Sequence, residues 1–492
     1  MKLESLVQKI PKTSVARIMD VEIKGVKYDS RQVKEGDLFV AIKGFKTDGH
    51  HYIKNALAQG ANAVVIEDKN CCSSDYPWVL VENSRNALAD LSAAFYDHPS
   101  RRFLLIGVTG TNGKTTTSNL IATIFEDRGH KVGLIGTIHN RIGDKIIPVE
   151  RTTPESSDLQ ELFSQMVAEN VTCVVMEVSS HALDLARVRG CEFDIAVFTN
   201  LTQDHLDYHQ SMEEYYQAKS KLFKDLNNDT NKIYPKAAVI NCDDPWGQKL
   251  LGEINVEKIS YGIDNKANLK AEALKITSTG VSYRIDEEEI KLQLTGKFNV
   301  YNSLAALAAA QTQGVSREDA KQSLERITGI AGRFQLVEGT DDFAVIVDYA
   351  HTPDSLVNIL TTAREFAKGR IITVFGCGGD RDRTKRPIMG KAAAEFSDFS
   401  IVTSDNPRTE DLQTIINDIL PGIKEIVGPD KYHVVIDRRQ AIKEALEMAK
   451  KDDIVIIAGK GHETYQEVNG KKYPFDDKAV AEEILKRGRV NS

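Results

Sequence analysis

The sequence predicts an α/β protein of about three units built largely on parallel sheets. Three observations carry this. Runs rich in Val, Ile and Leu alternate with helix-length segments along the whole chain. A length of 492 residues, at roughly 150 per domain, is enough for about three separate cores. Near residue 110 a Gly-rich turn joins an apolar strand to a helix. With 41% hydrophobic and 27% charged residues, low-complexity and fibrous classes are excluded.

The first twelve residues, MKLESLVQKIPK, place Leu3, Leu6, Val7 and Ile10 at i, i+3, i+4 and i+7, a helical stripe rather than a signal-peptide core. Strands follow at 37–42, 63–68 and 78–83, then a helix from Asn86, and Pro99 to Arg102 reads as a linker closing a first α/β unit, 1–99. No apolar run approaches the ~18 residues that span a bilayer. The expected compartment is the cytoplasm. The six cysteines (71, 72, 173, 191, 242, 377) form no C-x-x-C pair and read as reduced, small core residues.

A central unit, 100–330, carries strands at 103–110, 173–180, 194–200 and 237–241. It continues with a hairpin over 281–296, turning at its DEEE centre, and an Ala-rich helix over 302–314 that Gly314 would cap. Two glycines in GIAGRF mark the next boundary, near 329–333. The last unit, 331–492, alternates strands and helices in the pattern of a doubly wound, Rossmann-like sheet. Such sheets bind ligands beyond the carboxyl ends of their strands. Four of those ends carry polar or Gly-rich segments here: 348–355, 376–387, 404–411 and 458–465.

The strongest local signal is GVTGTNGKTTTSNLIATIF, from 107. Gly110, Thr111, Asn112, Gly113, Lys114, Thr115 and Thr116 lie between strand and helix, where backbone N–H groups and a positive helix end face an anion. Lys114 is placed for the β and γ phosphates and the Thr115 hydroxyl for Mg²⁺. The spacing is G-x-x-G-x-x-G-K-T, a variant of the strict P-loop, because Val108 stands where that motif has its first glycine.

Two neighbouring strand ends bring groups suited to a divalent cation: Glu177, Ser179, Ser180 and His181 on one, Asp204, His205, Asp207 and His209 on the other. Neither a G-x-S-x-G elbow nor an H-E-x-x-H helix occurs, and AGKGHE has too few glycines for a dinucleotide fingerprint. The charge sum, 63 minus 71 or −8, argues against a broad electrostatic grip on nucleic acid or anionic membrane. Anionic ligands must meet local cations. From the residues alone this is an ATP-binding enzyme with a second, arginine-rich site in its last unit.

The succession GTNGKTTT, RTTPES, EVSSHAL, NLTQDHLDYH, GKFNVYN, AGRF and VDYAHTPDSL resembles the Mur ligase family across all three units. DNPR, GCGGDRD and GKGHE resemble the members that join meso-diaminopimelate to UDP-N-acetylmuramoyl-L-alanyl-D-glutamate in peptidoglycan synthesis. The resemblance implies ATP as co-substrate, an acyl-phosphate intermediate and Mg²⁺ held by Thr115, Glu177, His205 and Lys219, the last carrying a carbamate (N6-carboxylysine). Lys114, Lys219, His205 and Glu177 would be catalytic. Asn299, Asn302, Arg333, Asp348 and His351 would close around ATP.

The same resemblance gives Ser30, in the first unit, a uridine-side contact, and makes Thr152, Thr153, Ser179 and Arg187 the grip on the muramoyl-dipeptide. Arg381, Asp405, Asn406, Pro407, Arg408, Gly459 and Glu463 would bind diaminopimelate, whose extra carboxylate suits guanidinium forks. Leu185 departs from the pattern, standing where some members carry a contacting Gln. A monomer is implied, with neither nucleic acid nor membrane as partner. A lysine-adding ligase, a folylpolyglutamate-type ligase and, from another class, an NTP-dependent switch are the alternatives.

Overall fold

The computed structural model describes all residues except 11–12, 18–19, 45–46, 150, 207, 228–231, 278, 341 and 491–492, and describes only the backbone of 13–17 and 488–490. Three main sheets follow one another along the chain. The first orders its strands Thr13–Arg17, Trp78–Val81, Ala63–Ile66, Asp37–Val40 and Gly25–Lys27, with only the first antiparallel to its neighbour. Leu3 and Leu6 of the N-terminal stripe are fully buried, packed with Leu88 and Leu91 of the helix Ser84–Phe95. Pro99–Arg102, read as a linker, is a turn of 3₁₀ helix.

In the central sheet Leu104–Thr109 runs parallel between Cys173–Glu177 and Ile195–Phe198. All three strands are buried along their whole length and apolar up to their carboxyl ends, where Thr109 and Glu177 stand, as a covered parallel sheet requires. The next strand in sequence, Val132–Ile135, pairs on the far side of Cys173–Glu177, so the strand order reverses at Leu104–Thr109 and opens a crevice at its carboxyl end.

Helix Lys114–Asp127 starts there and buries Leu120, Ile121, Ile124 and Phe125 in one core with the helix Lys297–Gln311. That second helix begins at Lys297, five residues before the start expected from its alanine run, directly after Gly296 (φ 96°), and its first turns bury Asn299, Val300 and Asn302. The hairpin forms as expected, from Gly280–Ile285 and Glu288–Leu292 about a turn at Asp286.

The last sheet is ordered Gln335–Leu336, Ala344–Asp348, Ile454–Ala458, Ile371–Phe375, Phe399–Val402 and Tyr432–Val434, parallel but for its first strand. Its carboxyl ends face the crevice of the central sheet. All six cysteines are free thiols, and among the described residues no helix is long and apolar enough to cross a membrane.

Candidate active site

A cleft of about 840 Å³ lies between the carboxyl ends of the central and last sheets. Its floor is the Gly-rich turn. Gly110 (φ 149°) and Gly113 (φ 85°) take conformations and spaces open only to glycine: a Cβ would meet Thr199 Oγ1 at 1.9 Å and Asn302 Oδ1 at 2.5 Å respectively. The next strand end pins the turn. The Thr111 N–H donates to Asn200 O at 2.9 Å, the Asn112 N–H to Asn200 Oδ1 at 2.9 Å, and Thr199 Oγ1 to Asn112 O at 2.6 Å.

Lys114 Nζ folds over this turn, donating to the carbonyls of Gly110 (2.9 Å) and Thr111 (2.8 Å). Burial pushes its pKa down, against the pull of Glu177 and Asp204. Thr115 Oγ1 donates to Glu177 Oε2 at 3.0 Å, and the Thr137 N–H (2.8 Å) and hydroxyl (2.9 Å) fix the same carboxylate. Lys219 is 2% exposed; its Nζ donates to Gly110 O at 2.8 Å and lies 4.6 Å from the Tyr215 ring centre. Desolvation, reinforced by the like charge of Lys114, lowers its pKa well below that of an ordinary lysine.

His205 sits at φ 56° beside Asp204 (3.5 Å), its ring edge-on to His181 at 4.9 Å. His209 is buried and stacks on Tyr215, Ser180 is buried in the short helix Ser180–Asp184, and Asp207 lies outside the described residues. Among the described residues no three His, Cys, Asp or Glu side chains converge at metal-binding spacing. Thr115 touches Glu177, whereas Lys219 is tied to Gly110 and His205 to Asp204 and His181. The adjoining hydroxyl and carboxylate oxygens are hard donors, and such a partial set fits a Mg²⁺ that keeps waters and phosphate oxygens in its shell.

Asn299 and Asn302 lie beneath the turn rather than in the cleft wall. Asn302 Oδ1 accepts from Thr117 Oγ1 at 3.2 Å, and its Nδ2 donates to Asn299 Oδ1 at 3.0 Å. Asp348 also works from behind, accepting the Phe334 N–H at 2.6 Å; burial raises its carboxyl pKa, against the pull of Arg333. Arg333 stacks on Tyr349 at 4.7 Å and crosses the cleft to Thr115. His351 lines the wall, its Nδ1 2.8 Å from Tyr349 O.

Thr152, Thr153, Ser179 and Arg187 line the cleft next to Glu177. Thr153 Oγ1 donates to Glu177 O at 2.9 Å and accepts the Ser179 N–H at 3.1 Å, and Arg187 bridges Thr153 O (3.3 Å) and Glu155 (3.4 Å). Leu185 ends the helix Ser180–Asp184 outside the lining. Ser30 is buried in a 3₁₀ turn, while its neighbours Tyr28 and Gln32 line a second cavity of about 330 Å³ that shares Arg151 with the cleft.

On the far wall Arg381, Asp405, Asn406, Arg408, Gly459 and Glu463 meet. Arg408 takes φ 52° and donates to Gly379 O at 2.7 Å; Pro407 sits outside the lining, its carbonyl accepting the Glu410 N–H. Other wall residues went unread in the sequence. Thr137 follows a strand with no motif around it. Arg151, Tyr349, Asp354 and Lys385 all lie in or beside quoted motifs, and adjacency was their only signal.

Three family models match in succession: the Mur ligase family catalytic domain over 22–96, the Mur ligase middle domain over 108–310 and the Mur ligase glutamate ligase domain over 332–461. The UDP-N-acetylmuramoyl-L-alanyl-D-glutamate–2,6-diaminopimelate ligase of Bacillus cereus is 48% identical over 496 aligned residues, 100% of each chain. The chain belongs to the Mur ligase family.

A Clostridium botulinum ligase of the same name shares 50% identity over 94% of this Mur ligase and 95% of its own length. A solved structure with that enzyme name, 32% identical, superposes with a TM-score of 0.69 over 99% of both chains. MurF of Thermotoga maritima in complex with ADP (20% identity, TM-score 0.63, 96% and 100% covered) shares the fold. So does the Mycobacterium tuberculosis folylpolyglutamate synthase (17%, 0.60, 83% and 95%).

Proposed function

We propose that this Mur ligase joins meso-diaminopimelate to UDP-N-acetylmuramoyl-L-alanyl-D-glutamate at the expense of ATP, giving ADP and phosphate. The observation that carries this is the cleft itself, with a phosphate-binding turn on one wall and paired arginines and carboxylates on the other. The relatives' names agree with it. On this reading 1–99 holds the uridine end, 100–330 ATP and the dipeptide, and 331–492 the amino acid.

The terminal phosphoryl of ATP passes to the substrate carboxylate, forming an acyl phosphate and ADP. The amine of diaminopimelate then attacks the acyl carbon, phosphate leaves, and the amine proton is released. Lys114 and the helix end at Thr115 stabilise the charge on the transferring phosphoryl. Arg333 and His351 close over the nucleotide from the far wall. Thr115 and Glu177 would hold Mg²⁺, with His205 and, once carbamylated, Lys219 completing the set that the resemblance implies; when bound, the ion would neutralise phosphate charge and orient the phosphoryl group.

Lys219 is suited to carbamylation. A neutral amine adds to CO₂, forming an N–C bond and losing a proton, and burial beside Lys114 favours the neutral amine. Arg381 and Arg408 would grip the distal carboxylate of diaminopimelate, which lysine lacks. The enzyme is a cytoplasmic monomer without nucleic-acid or membrane partner on this reading.

The test is phosphate release from ATP with Mg²⁺ and UDP-muramoyl-dipeptide, offered diaminopimelate, lysine or glutamate separately. Release with diaminopimelate alone is expected. Release with lysine alone overturns the amino acid, and release with none overturns the ligase reading.

A further inference from the structure

The far wall rests on a lysine that the motif reading passed over. Lys460 is fully buried, and its Nζ donates to Glu463 Oε2 at 2.8 Å and to Asn406 Oδ1 at 3.1 Å. Asn406 closes the triangle, donating from Nδ2 to the same Glu463 oxygen at 2.8 Å. Its Oδ1 also accepts the Glu467 N–H at 2.9 Å. An amide oxygen held by an ammonium and a backbone N–H cannot exchange places with its NH₂, so the NH₂ is forced toward Glu463.

Each carboxylate of this wall thus has one oxygen committed. Glu463 Oε2 takes two donors, while Oε1 takes none among the described residues. Asp405 Oδ1 accepts the Asn406 N–H at 2.6 Å, while its buried Oδ2 has no partner among the described residues. The open oxygens belong to residues that line the cleft. They are the acceptors an amino-acid ammonium would meet. Arg438, also fully buried, holds the two loops together from behind, donating to Ser404 O (3.3 Å) and Ala458 O (3.0 Å) while paired with Asp477 at 2.7 Å.

We propose that Lys460 is a positioning residue for the incoming amino acid: it fixes Asn406 and Glu463 so that the open carboxylate oxygens, Glu463 Oε1 and Asp405 Oδ2, receive the substrate's ammonium. This rests on the ligase reading above. Being wholly buried, Lys460 touches no substrate. Were its role only structural, Lys460→Met would leave the Glu463 carboxylate without its partner and weaken the fold, moving the KM values of all three substrates together rather than that of the amino acid alone.

The test is Lys460→Met in the full-length enzyme, with KM measured separately for all three substrates. The KM for the amino acid is expected to rise about tenfold or more, with those for ATP and the nucleotide-peptide within about twofold. An unchanged amino-acid KM, or a rise shared equally by all three, overturns the proposal. Should Lys460→Met not fold, Lys460→Met/Glu463→Gln removes the charge together with its partner.

That double variant is expected to match Glu463→Gln alone within about threefold in amino-acid KM. A further tenfold rise overturns the proposal. Which amino acid the native enzyme uses tests the ligase reading. The Lys460 comparison is made with that amino acid, so the two failures are distinguishable.

Discussion

Arg333 Nη2 donates to Thr115 Oγ1 at 3.0 Å, linking the last sheet's side of the cleft to the first turn of the phosphate helix. Its guanidinium stacks on Tyr349, and its Nε is buried with no partner among the described residues. A desolvated donor aimed beside a phosphate turn is a contact waiting for an anionic oxygen.

Arg333→Ala is therefore expected to lower kcat/KM for ATP by about 10- to 100-fold, the worth of one hydrogen bond to a charged group. Arg333→Lys should recover little of it, because a lysine neither stacks on Tyr349 nor offers a planar fork. Steady-state kinetics with ATP varied check this, and Arg333→Ala kinetics within twofold of native would remove the residue from the nucleotide site.

Arg408 presents a different geometry. Its Nη1 is spent on Gly379 O at 2.7 Å and its Nε lies 3.6 Å from Glu467, so it is held by its own loop while still lining the cleft. Arg408→Ala should cost about 1.5–3 kcal/mol in diaminopimelate kcat/KM, roughly 10- to 100-fold, if its remaining donors meet a carboxylate. ATP KM should not move. Equal losses in both would mean that the substitution has collapsed the loop rather than removed a substrate contact.

The cleft-facing half of this site was legible in the sequence because it is written in short motifs: a turn that needs glycine, a lysine and threonine at the helix start, guanidiniums beside carboxylates at strand ends. The supporting half was not. Asn299 and Asn302 look like nucleotide contacts in GKFNVYN, yet the helix turns them under Gly113, a placement that depends on where that helix starts. Thr137 holds Glu177 from 40 positions away, a separation that carries no pattern. Asp354 joins the two sides of the cleft, accepting from Asn112 (2.6 Å) and Thr202 (2.9 Å), and only the packing of one sheet's ends on the other's creates that contact.

Gly113 supplies a prediction with an internal control. A Cβ there meets Asn302 Oδ1 at 2.5 Å and also faces φ 85°. Gly113→Ala is expected to weaken ADP binding at least tenfold, since the turn must shift its N–H groups away from the phosphates. Removing the obstructing amide in Gly113→Ala/Asn302→Ala relieves the collision but not the left-handed backbone, so recovery should be partial. Calorimetric titration with Mg²⁺–ADP measures both. Native affinity in Gly113→Ala would show that the turn tolerates a side chain, and full recovery in the double variant would show that backbone strain is negligible.

The last prediction concerns stability against acid. Asp453, 4% exposed, immediately precedes the strand Ile454–Ala458, which leads into Gly459 of the cleft lining. Burial alone would raise its pKa, but Arg370, bonding through Nε (3.1 Å) and Nη2 (2.7 Å), and the N–H groups of Arg370 (2.7 Å) and Lys450 (2.9 Å) outweigh it and hold the carboxyl below its ordinary value. A folded pKa lower than the unfolded one means that the unfolded chain takes up its proton first as pH falls. The stabilisation is complete above the ordinary carboxylate pKa of about 3.9 and is lost below it. Asp453→Asn keeps the shape and removes the charge, so it should cost about 2 kcal/mol from pH 5 to 7. The gap between variant and native should narrow as pH drops from 5 toward 3. Urea midpoints across that range give the answer, and a gap independent of pH would mean that the ion pair is not what Asp453 contributes.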